Sequence, residues 1–224
     1  PCRIVLVMND YTNIPPLNVK EIDEVIGSIK EIPTSTIEQE EELSRNIALI
    51  MIGWLTAFRV SEILSLKRGN FRFDLAADEG LYDRVEDVKN LKQKEYTKSG
   101  KKNRYARLTK KVLWRKDEPY ASEVRTYVKS FPSMDYHIFP RRKMVYGWNY
   151  QTDYDTPMTR QQVFKVFKSY GIDGTHALRH SRLTYLAEVK GLNEVQLQSF
   201  SAHSSAGSLK PYVHLSPNMY KELI

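Results

Sequence analysis

Apolar residues at Ile22, Val25, Ile26 and Ile29 recur at steps of three and four, the spacing of one helix face, and predict an amphipathic helix over Val19 to Ile29. Asn13-Ile14-Pro15-Pro16 breaks the chain before it and Pro33 stops it. Ser35 with Glu38 three residues on matches a capping box, and Glu40, Glu41 and Glu42 suit the positive end of a helix dipole. A long, largely buried helix is predicted from there, over Glu38 to Ala57, and a second from Val60 to Leu66. Between Gly80 and Arg115 the pattern changes to alternation around Tyr96, Tyr105, Arg107 and Leu108, with a turn at Ser99-Gly100, which predicts two or three antiparallel strands. Helical spacing returns at Tyr120 to Ser130, Thr159 to Tyr170, Thr175 to Lys190 and Asn193 to Phe200. The sum is an α+β class, a mostly helical domain with a small antiparallel β-sheet inserted.

Composition narrows this picture. The 224 residues are ample for one domain, 41% of them are hydrophobic, and no apolar run approaches the length that spans a bilayer. Ile4 to Met8 is too short for a signal peptide's apolar stretch, so residues 1–17 read as an N-terminal arm or linker. A single cysteine, Cys2, excludes an internal disulfide framework and a cysteine-based zinc cluster, and favours a reducing, cytoplasmic setting. The formal charge is +7, and its location matters more than its size: Lys92 to Lys111 holds nine lysines and arginines against Glu95, a net +8, so the rest of the chain sums to −1. Such a basic segment favours an anionic partner. The acidic run Asp74, Asp78, Glu79, Asp83, Glu86 and Asp87 reads as a solvated loop in preference to a two-metal site.

Four separated segments carry candidate chemistry. Arg59 and Glu62 are one helical turn apart in Arg59-Val60-Ser61-Glu62. Lys98 stands in Thr97-Lys98-Ser99-Gly100, at the tip of the basic hairpin. His176 and Arg179 are three apart, so a helix would direct both to one locus. His203 lies in Ala202-His203-Ser204-Ser205, with Tyr212 nine residues on; an unbroken helix would put the two on opposite faces, but Gly207 and Pro211 break it.

In order and spacing these segments resemble the catalytic domain of the tyrosine recombinase (phage integrase) family, over about Asn18 to Leu215. The specific part is the box His176-Ala177-Leu178-Arg179-His180, then His203, then Tyr212. Ala202 stands where the family commonly has glycine, and Phe200-Ser201 where it has a leucine pair, which marks a divergent member. The resemblance implies a site-specific recombinase that breaks and rejoins double-stranded DNA through a 3′-phosphotyrosine, needing no metal, ATP or other cofactor. Tyr212 is then the nucleophile and His176 its base, while Arg59 and Arg179 neutralise the non-bridging oxygens. His203 bonds or orients the phosphate, Lys98 protonates the leaving 5′ oxygen, and Glu62 orients its neighbours. Lys94, Lys101, Lys102 and Arg104 would contact DNA phosphates. The resemblance also implies a tetramer on paired DNA sites, a monomer in isolation, and an upstream core-binding domain outside this chain. Two other readings share the residues: a type IB topoisomerase-like strand transferase, and a DNA-binding regulator on an inactive scaffold.

Overall fold

The computed structural model describes residues 16–77, 80–89, 109–145, 149–174 and 176–201. Helix α1, Val19–Lys30, begins at Asn18, whose Oδ1 accepts from the Glu21 amide at 2.9 Å while Glu21 Oε2 accepts from the Asn18 amide at 2.8 Å. Its buried stripe is Ile22, Ile26 and Ile29, the face the spacing predicted.

Helix α2, Ile37–Thr56, is amphipathic at its start and buried on every side from Ala48 to Thr56, so it is the core about which α1 and later helices pack. The cap differs from expectation by one residue. Thr36 Oγ1, not Ser35, accepts an amide hydrogen, from Gln39, and the Ser35 amide donates to Gln39 Oε1. The α2 chain ends at Ala57 in the left-handed region, φ +51°, a conformation that costs alanine about 1 kcal/mol. That turn reverses the backbone and presents Arg59 as the N-cap of α3, Val60–Leu64.

A 3₁₀ turn, Arg68–Asn70, leads into β1, Phe71–Ala77, which pairs antiparallel with β2, Gly80–Lys89, and β2 pairs with β3, Thr109–Arg115. β1 is an addition to the sheet that the alternating pattern predicts only from Gly80. The register shifts between Arg72 and Leu75 and between Val85 and Val88, and Asp74 and Asp87, both at φ +59°, sit in those bulges. Nor do the acidic residues described there form a loop. Asp74 is paired by Lys116 and Arg125, the buried Asp83 by Arg125, and Glu86 by Arg72 and Arg84. β3 alternates strictly, with Lys110, Val112 and Trp114 inward.

Helix α4, Ala121–Lys129, packs on α2, and a second hairpin that the sequence reading also missed follows, β4, Pro140–Val145, and β5, Asn149–Pro157. Helices α5, Arg160–Ser169, α6, Ala177–Glu188, and α7, Glu194–Ser201, complete the order, and α6 lies against α2. Between them Trp54 of α2 is wholly buried, with the Arg182 guanidinium 4.4 Å above its ring. Tyr185 and Tyr120 meet the same ring at 5.1 and 5.3 Å, and Arg182 is paired with Glu118 at 2.9 Å. The mostly helical fold with small antiparallel sheets is as expected.

Candidate active site

Arg59 is the residue from which α3 starts, and Glu62 is the third residue of that helix. The Glu62 carboxylate therefore turns back onto the helix start, accepting the Arg59 amide at 2.8 Å and Arg59 Nη1 at 3.2 Å. What reads in sequence as an ordinary arginine–glutamate pair is a buried one: the Glu62 side chain is 0% exposed and that of Arg59 16%.

A third group completes the pair. Lys110, inward on β3, places Nζ 2.8 Å from each carboxylate oxygen of Glu62 with its side chain 2% exposed, and lies 5.6 Å from the centre of the Phe58 ring. Burial drives the Lys110 pKa down, the Glu62 charge opposes this, and Arg179 and Arg59 push it down further, to about 8. For Glu62, burial favours the neutral acid, but the Lys110 charge and hydrogen bond and the Arg59 contacts outweigh it, so the carboxyl titrates below its ordinary range. At neutral pH both are ionised. In sequence Lys110 is one of nine cations spread between Lys92 and Lys111; its signal is the Lys110-Val112-Trp114 alternation, which puts it on the apolar face.

Arg179, on the first turn of α6, is buried at 4% exposure. Its Nη1 donates to the carbonyl of Ala57, and Nη2 donates to the carbonyl of Ser201 at 3.1 Å. The left-handed turn that aims Arg59 is thus held by Arg179, which also fastens the chain two residues before His203. The structure brings Arg59, Glu62 and Arg179 together. His176 is exposed and caps α6 from outside the helix, its carbonyl accepting the His180 amide at 2.9 Å. The prediction of a helix from Thr175, with His176 and Arg179 both on its turns, is corrected by that start: only Arg179 is on the helix. His180 and His137 both have pKa values lowered, first by burial. Lys94, Lys98, Lys101, Lys102, Arg104, His203 and Tyr212 lie outside the described residues.

Among the described residues, Arg59 and Lys110 pair with one carboxylate and Arg179 lies near enough to lower the Lys110 pKa, leaving a surplus of two positive charges in a largely buried place. Such a site suits an anion whose charge grows during reaction. No helix among the described residues is long and apolar enough to cross a membrane.

Comparison with solved structures finds the same fold. XerH site-specific recombinase in a post-cleavage complex with palindromic difH substrate superposes with a TM-score of 0.58 at 20% identity, over 93% of this chain and 52% of that one. The catalytic domain of bacteriophage HP1 integrase gives 0.53 at 13% identity, over 94% and 93%. The Tn1549 transposon integrase in complex with circular intermediate DNA gives 0.54 at 17%, over 96% and 66%. The chain spans about half the length of the XerH chain it matches. Comparison with curated protein sequences finds no match. The sequence profile of the phage integrase family covers residues 19–219, nearly the whole chain, and the chain belongs to that family.

Proposed function

We propose that this chain is the catalytic domain of a site-specific DNA recombinase or integrase, and that it cleaves and rejoins strands through Tyr212. The observation that carries the reading is the convergence of Arg59 and Arg179, from segments 120 positions apart, on the buried Glu62–Lys110 pair. An arginine fork matches two non-bridging phosphate oxygens and stays charged at working pH. Family membership and the three recombinase-like folds support the same assignment.

In the proposed reaction the Tyr212 hydroxyl attacks phosphorus and gives up its proton to His176. The bond to the 5′ oxygen breaks, that oxygen takes a proton from Lys98, and a 3′-phosphotyrosine remains. Attack by a 5′ hydroxyl on that ester reverses each transfer, so the phosphodiester energy is conserved. His203 hydrogen-bonds a non-bridging oxygen. Lys94, Lys101, Lys102 and Arg104 bind duplex phosphates, which makes affinity fall as salt rises. The active assembly is a tetramer on two DNA sites, reached from a monomer.

A nicked suicide duplex carrying the protein's natural recombination site tests this. Wild-type chain is expected to become covalently attached to DNA and Tyr212→Phe is not. An adduct that persists in Tyr212→Phe refutes the assignment, and relaxation of any supercoiled plasmid without paired sites would point to topoisomerase-like activity instead.

A further inference from the structure

Lys110 is a cation for which the proposed chemistry has no task. Strand alternation turns it inward, twelve residues beyond Lys98, and at 2% side-chain exposure its ammonium does not reach a bound duplex. Both Glu62 oxygens lie 2.8 Å from Nζ, while the Arg59 guanidinium touches only Oε1, at 3.2 Å. Arg59 is also the more exposed of the two cations. Lys110 therefore holds Glu62 from the core side and Arg59 meets it from the solvent side.

We infer that Lys110 is a positioning residue of the anion site: by neutralising Glu62 from behind, it leaves the Arg59 guanidinium to face a phosphate and keeps the cluster's net charge at +2. The inference rests on the phosphate-handling role proposed above for Arg59 and Arg179. The balance of charge carries it. A phosphodiester has one negative charge, and its pentacoordinate transition state has two. With Arg59, Lys110 and Arg179 against Glu62, the cluster matches that final charge. Without Lys110 the surplus falls to +1, and the buried Glu62 must take its whole compensation from Arg59, drawing the guanidinium inward. The charged groups facing Lys110 are Glu62 and Arg59 from the α3 segment and Arg179 from α6, and the Phe58 ring centre lies 5.6 Å from its Nζ.

Inorganic sulfate is a suitable probe because its charge of −2 does not change over the working pH range. NMR titration of the full chain with sulfate, following arginine side-chain N–H signals, should show Lys110→Met binding about tenfold more weakly than wild type. Lys110→Arg should stay within about twofold of wild type, since it restores the charge. The double variant Lys110→Met/Glu62→Gln should regain most of the loss, because it returns the surplus to +2. Wild-type binding should weaken as pH rises through about 8, where Lys110 loses its proton, and Lys110→Arg should lack that step. Sulfate affinity unchanged in Lys110→Met, a double variant no better than the single one, or no sulfate binding by folded wild type would each overturn the inference. If Lys110→Met does not fold, the pH step in wild type against Lys110→Arg decides alone. Single-turnover cleavage of the suicide duplex separates the two readings. An intact sulfate pattern with no Tyr212-dependent adduct removes the recombinase reading and leaves the positioning role. An adduct formed equally fast by Lys110→Met does the reverse.

Discussion

Replacing Arg182 by alanine should cost this protein about 3 kcal/mol, and the structure shows where that comes from. The Arg182 side chain is 2% exposed and its guanidinium lies over three rings, at 4.4 Å from Trp54, 5.3 Å from Tyr185 and 5.9 Å from Phe200. A desolvated cation over an aromatic face is worth about 2 kcal/mol, and the void left beneath Trp54 adds to the loss. Removing one partner of a buried ion pair commonly costs about 3–5 kcal/mol because the other charge is stranded. Here the lower end applies, since Glu118 keeps Lys190 at 2.9 Å on its other oxygen. For a chain of this length each kcal/mol moves the melting midpoint by about 2–4 °C, so a fall of about 6–12 °C is expected. Arg182→Met, which fills the volume without the charge, should lose about half as much. Urea unfolding followed by circular dichroism gives both numbers. Arg182→Ala within about 1 kcal/mol of wild type would refute the argument that this cation is part of the core.

Two further outcomes are expected. Asp74, held by hydrogen bonds from Lys116 and Arg125, and Asp153, held by Lys143 and Thr156, both have carboxyl pKa values of about 2. Their folded values lie below the unfolded ones, so their contribution is complete above about pH 4 and is lost as pH falls toward 2; the denaturant midpoint should drop across that window, and a midpoint flat from pH 4 to 2 would contradict it. Asn18→Ala removes one half of the α1 capping box and should cost about 1 kcal/mol, read from the same urea curves, with a loss below a few tenths of that counting against the cap.

Much of the helical framework was legible because its apolar residues keep helical step. Ile22, Ile26 and Ile29 fixed the inner face of α1, and Thr159, which caps α5 through Gln162, lies at the predicted start. The shift from Ser35 to Thr36 at the start of α2 arose because two adjacent hydroxyls each have an acidic or amide partner three residues on. β1 was missed because Asp74 sits in a left-handed bulge that interrupts alternation. β4 and β5 were missed because residues such as Arg141, Met144 and Tyr150 are exposed and leave no apolar face to read. At the site, Arg59, Glu62 and Arg179 are singled out by the resemblance of their segments to the family's boxes, spacing alone being a weak signal. The partnership of Glu62 with Lys110 is not singled out, because it joins residues 48 positions apart and depends on the sheet placing β3 against α3. The three-residue interval between His176 and Arg179 likewise does not fix the helix start, which falls at Ala177.

The carbonyl of Ala57 ties the assembly of the arginine cluster to the completion of the fold. It ends α2, and its acceptance of Arg179 joins positions 122 apart, while the same side chain reaches Ser201 across 22. Closing such long loops is entropically unfavourable until the intervening elements are in place. A chain on its way to the native state therefore has Arg59 and Arg179 apart. The two-sided arrangement of Arg59 and Arg179 is thus a product of long-range tertiary contacts, and a partly unfolded copy lacks it even where its local helices persist.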